Sequence, residues 1–148
     1  GSRIGGMEAM FKHILVPVDL SGRNAPALKT ALALARLSRA RVTLLHVVQR
    51  IEKIPIGELR EFYKRLTTMA EAKLGRAARP FTRQGVPVTT EARIGEPAAE
   101  IVRIAGSRKV DLIVMISHRV NPRRGTRGWG TMSYKVGLLC QCPILLVK

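Results

Sequence analysis

A few short stretches of this chain carry residue types that could do chemistry. Asp19 follows the apolar run Ile14-Leu15-Val16-Pro17-Val18 and stands ahead of the polar turn Leu20-Ser21-Gly22. A carboxylate there either accepts hydrogen bonds from a ribose or nearby backbone, or caps the following turn; the residues alone leave both roles open. Much later, Gly130-Thr131-Met132-Ser133 opens a segment of helical spacing. Glycine and hydroxyls at a helix start make a seat for phosphate, because unpaired N–H groups and the positive end of the helix dipole face the anion. The same residues also serve as an ordinary turn and cap. Between Ser117 and that glycine lie Arg119, Arg123, Arg124 and Arg127, with no acidic residue from Ser117 to Lys148. Guanidiniums grip phosphate oxygens in pairs, so this loop is either an anion clamp or a solvated basic flap.

Other reactive residue types read as structural. His46 lies inside the apolar run Arg41–Val48 with no nucleophile beside it, the pattern of a packed, hydrogen-bonded core histidine. Cys140 and Cys142 stand two apart near the C-terminus, without Cys or His partners at zinc spacing. In a strand they would face opposite ways, so they read as buried free thiols, in keeping with a reducing compartment. There is no G-x-x-x-x-G-K-[ST] run, no G-x-G-x-x-G after the first strand and no G-x-S-x-G elbow. Paired carboxylates are also missing, which argues against a two-metal nuclease or a magnesium-dependent kinase. No catalytic residue and no metal ligand is assignable.

The elements that must position these residues alternate. Residues 12–19, 41–48, 86–94, 111–117 and 142–148 read as strands, the third with the in-out alternation of an edge. Helical spacing fills 24–40, Ile56 to Arg83 with Pro80 near its end, 95–109 and 130–141. In 95–109 the inward set is Ala98, Ile101, Val102 and Ala105, and Glu96 and Glu100 suit the helix start. Strands and helices in strict alternation imply a doubly wound, mainly parallel sheet with helices on both faces. Ligands of such sheets sit beyond the carboxyl ends of the strands, where the strand order switches.

The chain has 148 residues, one domain's worth, with 46% hydrophobic and 24% charged residues. Lys and Arg number 26 against 10 Asp and Glu, for a net charge of +16. The excess is spread over both halves, so it predicts general attraction to polyanions rather than a specific nucleic-acid site. No apolar run reaches the ~20 residues of a membrane span, and no secretion signal is recognisable, so no membrane and a cytoplasmic location are expected. Residues 1–11 read as a tag remnant or disordered lead-in, and 12–148 as the domain.

Three segments resemble the universal stress protein family: residues 12–48, residues 93–119 with Gly-x-Pro ahead of a helix, and residues 130–148 with Cys142-Pro143 at the start of the last strand. The resemblance implies a five-stranded parallel sheet of order 3-2-1-4-5, of the adenine-nucleotide alpha-hydrolase type. It implies a regulatory stress-response protein that binds ATP or a related adenine nucleotide without efficient turnover. The adenine and ribose contacts fall at Val18, Asp19 and Val47, with Pro17, Met115 and Ile116 at the neighbouring strand ends. The phosphate contacts fall at His118, Arg119, Gly130, Thr131, Met132 and Ser133. The nucleotide-binding pattern of the family is Gly-x-x-Gly, nine residues, then Gly-Ser or Gly-Thr. Here Ile116 and Arg119 stand where its two glycines fall, and ten residues separate Arg119 from Gly130. Arg123, Arg124 and Arg127 would then hold phosphate by side chains. The alternative is an adaptor of the same fold that contacts a protein partner or another anion through the basic loop, without nucleotide. The resemblance also implies a homodimer, and the apolar last strand, 142–148, is the edge that would pair.

Overall fold

The computed structural model describes residues 10–51, 53–117 and 132–148. His13–Pro17 forms β1, Ala25–Ser38 α1, and Arg41–Gln49 β2. A 3-10 turn at Ile56–Leu59 leads into α2, Arg60–Arg83. Then follow β3 (Val88–Gly95), α3 (Pro97–Ser107), β4 (Leu112–Ile116), α4 (Met132–Leu139) and β5 (Ile144–Val147). The sheet has the order β3-β2-β1-β4-β5 and every described pairing is parallel. That is the strand order the family resemblance implies.

The centre of the sheet is apolar because both of its faces are covered. All five residues of β1 are buried, and Leu112 through Met115 of β4 likewise. On one face, Ile14, Val16, Val42, Leu44 and Val114 pack with Ala27, Ala31 and Ala35 of α1 and Leu74 and Phe81 of α2. On the other, Leu15, Leu45, Ile113 and Met115 pack with Ala98, Ile101 and Ile104 of α3 and Val136 of α4. Small alanines line α1 where it crosses the sheet, which lets the helix sit close to the strands. Phe11 also packs on the α1 side.

Several local expectations are revised. α2 keeps the predicted end at Arg83 with Pro80 inside it, but its α-helical turns begin at Arg60 rather than Ile56. Gly95 closes β3 rather than opening α3, whose cap is Glu96: its Oε2 accepts from the Ala99 N–H at 2.7 Å. Ile104 takes the inward place expected of Val102, because the 3.6-residue turn carries Val102 to the margin of the buried stripe. Both edge strands are short of cover. β3 is only part-buried, and β5 exposes Leu145 (38%) and Leu146 (42%).

Candidate functional site

The turn after β1 is built around Asp19. Val18 extends the strand register, its N–H donating to the Leu45 carbonyl at 2.8 Å. Its own carbonyl accepts from His46 Nδ1 at 2.8 Å. A carbonyl can only accept, so His46 carries its proton on Nδ1 when neutral. His46 is thus the hydrogen-bonded structural histidine expected, half-buried, and it fixes the end of β1.

Beyond Val18 the chain folds back on itself. Asn24 Nδ2 donates to the Asp19 carbonyl at 2.7 Å and to Asp19 Oδ1 at 3.1 Å, while the Asp19 N–H donates to Asn24 Oδ1 at 3.3 Å. The same Oδ1 accepts from the Ser21 N–H at 2.8 Å and from the Ser21 hydroxyl. Gly22 supplies the left-handed backbone, φ +85°, that closes the turn. Burial alone would push the Asp19 carboxyl up, but hydrogen bonds from Ser21 and Asn24 and the charge of Arg23 outweigh it and hold the carboxyl below its ordinary value. Oδ1 therefore organises the turn. Oδ2 makes no hydrogen bond among the described residues.

Val18 and Asp19 line a cavity of about 280 Å³ between this turn, α1 and α2. Two cations of α2, Lys73 and Arg76, line it as well, and Lys73 Nζ donates to the Leu20 carbonyl at 2.9 Å. These cations are missing from the residues singled out in the sequence. Their signal is faint but present: they flank Leu74 and Ala77, which face the core, and so belong at its rim.

The other predicted residues distribute along the carboxyl edge of the sheet. Pro17 ends β1, paired with Leu45, and Val47 pairs with Arg93. Met115 and Ile116 end β4, in register with Leu146 and Val147. Ile116 is half-buried against the α1-side core, whereas Met115, Val47 and Met132 join the α3 side. Met132 and Ser133 begin α4, with Ser133 buried. None of Pro17, Val47, Met115, Ile116, Met132 or Ser133 lines the cavity beside Asp19. His118, Arg119, Arg123, Arg124, Arg127, Gly130 and Thr131 lie outside the described residues.

The cysteines depart from expectation. They do not lie in a strand pointing opposite ways: α4 ends before Cys140 and β5 starts after Cys142, so both sit in the reversal between them. Their sulfurs are 3.2 Å apart and both side chains are half-buried. Among the described residues no helix is long and apolar enough to cross a membrane, and no group of three or more His, Cys, Asp or Glu could hold a metal ion.

Comparison with known proteins agrees with this architecture. The universal stress protein YxiE of Bacillus subtilis is 30% identical over 149 residues, covering 94% of this chain and all of that one. The solved structure of MJ0577, a Methanocaldococcus jannaschii protein described as a universal stress protein, superposes with a TM-score of 0.77 at 32% identity, covering 94% of this chain and 96% of that one. The universal stress protein from Archaeoglobus fulgidus in complex with dAMP shares the fold, with a TM-score of 0.66 at 21% identity over 94% of this chain and 99% of that one. The sequence model of the universal stress protein family matches residues 10–148, and with the strand order and these relatives it places the chain in that family.

Proposed function

We propose that the chain binds an adenine nucleotide beyond the carboxyl ends of β1, β2 and β4 and acts as a regulatory protein rather than an efficient hydrolase. The observation that carries this reading is the state of Asp19. Its carboxyl is held ionised and oriented through Oδ1, while Oδ2 is left to accept a hydrogen bond from a ribose hydroxyl. The dAMP complex of the Archaeoglobus fulgidus relative supports the ligand class. In this reading Val18 and Val47 wall the base, and Ser133 stands at the phosphate end of the cleft. His118, Arg119, Gly130 and Thr131 complete that end, and Arg123, Arg124 and Arg127 supply charge where family glycines are missing. Ile116 turns its side chain to the α1-side core, so its replacement of glycine removes backbone freedom without adding a wall to the cleft.

The adaptor reading is favoured by one observation: the Ser21 and Asn24 bonds already give Asp19 a full structural role. Calorimetry separates the two. Asp19→Ala should weaken nucleotide binding by about 1–3 kcal/mol if Oδ2 serves the ribose. Equal affinities for variant and parent would sink that role, and a denatured extract of the purified protein free of nucleotide, with no ATP binding in titration, would leave the adaptor.

We further propose that two copies pair through β5. Ile113 N–H donates to the Pro143 carbonyl and Ser117 N–H to the Val147 carbonyl. By the two-residue period of a parallel ladder, the backbone groups of Ile144 and Leu146 then face away from β4. Leu145 and Leu146 are exposed on this open edge, and Leu138 and Leu139 on the neighbouring helix. Leu146→Pro removes an outward N–H and spares the bonds to β4. It should convert a dimer to monomer in sedimentation at micromolar concentration; a surviving dimer would place the interface elsewhere.

A further inference from the structure

The reversal between α4 and β5 brings together two nucleophiles that the nucleotide reading does not use. Both flanks of the reversal are anchored. The Cys140 N–H donates to the Val136 carbonyl at 2.8 Å, keeping Cys140 on the last turn of the helix, and the Pro143 carbonyl accepts from Ile113 at 3.0 Å, tying the other side to β4. Both side chains lean on the α3-side core. The sulfurs, 3.2 Å apart, need to approach by only about an ångström to reach bonding distance, which is about 2.0 Å. Each is partly open to solvent.

We propose that Cys140 and Cys142 are a redox site, closing to a reversible intramolecular disulfide when the protein meets a peroxide. The two thiols have different parts. Burial pushes the Cys142 thiol up to about 12, and the hydrogen bond to Cys140, its charge and that of Asp111 add to this. Cys142 therefore keeps its proton near neutral pH and serves as the resolving thiol, which leaves the first attack on peroxide to Cys140, 3.2 Å away. Its sulfur takes the distal oxygen of the peroxide: the S–O bond forms, the O–O bond breaks, and hydroxide leaves. The Cys142 sulfur then attacks the sulfenic sulfur of Cys140, and its proton departs with the hydroxyl as water. The two thiols lose two electrons together and hydrogen peroxide is reduced to two waters. Because the bridge closes a very small loop, it adds little to stability and opens again to a dithiol.

The test uses the reduced full chain and hydrogen peroxide as the probe. Both cysteines fall in one tryptic peptide, Val136–Lys148. Intramolecular closure therefore lowers that peptide by the mass of two hydrogens and removes both free thiols, and dithiothreitol reverses both changes. Iodoacetamide should label Cys140 ahead of Cys142. In Cys142→Ser the sulfenic acid has no thiol to meet, so Cys140 should be trapped by dimedone, whereas Cys140→Ser should give no dimedone adduct under the same exposure. The folded chain should close faster than the free peptide 136–148, on the order of tenfold, since the fold holds the sulfurs in place. Two thiols surviving peroxide, cross-links between copies only, or a closure rate equal to that of the free peptide would each overturn the proposal.

Discussion

The two ends of the sheet use polar residues in opposite ways. At the amino end one network of them is consumed by its own members, beside a cavity of about 420 Å³ that Arg41 and Lys109 also line. His13 Nδ1 donates to the Arg108 carbonyl at 3.2 Å, and Nε2 accepts from the Thr43 hydroxyl at 2.7 Å, which in turn lies 3.1 Å from Thr89 Oγ1. Asp111 spreads its carboxylate over two backbone donors, Lys12 N–H at 2.8 Å and His13 N–H at 3.0 Å. Glu91 pairs with both Arg93 and Arg108. At the carboxyl end, Asp19 commits one oxygen to its own turn and leaves the other, and Lys73 and Arg76 stand beside the cavity it lines. Polar groups matched within the fold hold structure together; those left over are available to a ligand.

Substitutions can break this contrast, and the largest effect on stability is expected at the amino end. Thr43→Val keeps the shape of the side chain but leaves the Nε2 of a buried histidine without a partner. It should cost about 1–3 kcal/mol in denaturant unfolding and leave nucleotide affinity unchanged. A loss of affinity as large as the loss of stability would erase the distinction between the ends.

Asp19→Ala is the reciprocal case. Its site is exposed and its bonds are local, so the stability of the ligand-free chain should fall by only about 0.5–1 kcal/mol while nucleotide affinity falls further. A drop in melting temperature matching that of Thr43→Val would make Asp19 a structural residue and nothing more.

A subtler effect is expected from pH. Burial, the largest influence, lowers the His13 pKa from 6.5; the Arg108 carbonyl and Asp111 oppose this, and Arg41 and the Arg108 charge add to it. A histidine that binds its proton less readily when folded contributes stability that is fully present above the unfolded value near 6.5. That contribution is lost as pH falls through the lowered folded value. Unfolding followed from pH 7.5 downward should show stability decline below about 6.5, with a smaller slope in His13→Gln. Identical slopes would remove His13 from the balance.

The smallest expected effect concerns salt. If the arginines following β4 hold phosphate, ATP affinity should fall between ~50 and ~300 mM salt and adenosine affinity should hardly change. Equal responses of the two ligands would leave a solvated basic flap.

Much of this architecture is legible before any coordinates. Ile14-Leu15-Val16 and Leu112-Ile113-Val114-Met115 are too apolar for anything but the middle of a covered sheet, and the helices between them force parallel crossovers. The place of Asp19 in the turn after β1 is legible as well, which makes it a candidate, since ligands of such sheets sit beyond the carboxyl ends of the strands. The amino-end network is not. It depends on register, which sets Thr43 opposite Thr89 and within reach of His13, and no one-dimensional pattern encodes that. Lys73 and Arg76 are hidden for a related reason: on a helix with this many cations, only the packing of α2 beside the Asp19 turn distinguishes them. The cysteine pair is hidden because the last helix and strand read as meeting at residues 141 and 142, which leaves no room for the reversal that joins the two sulfurs.

The placement of β1 at the centre of the sheet has a consequence for synthesis of the chain. β2 covers one edge of β1 early, but the partner for its other edge, β4, begins at Leu112, almost a hundred residues after His13. At about 5–20 residues per second, a ribosome leaves that edge open for about 5–20 s. All the while β1 presents a row of unpaired amides flanked by side chains that are fully buried in the finished protein. The nascent chain is therefore most vulnerable to association with its neighbours just before β4 emerges, and a pause placed between β3 and β4 would lengthen that hazard more than a pause anywhere later.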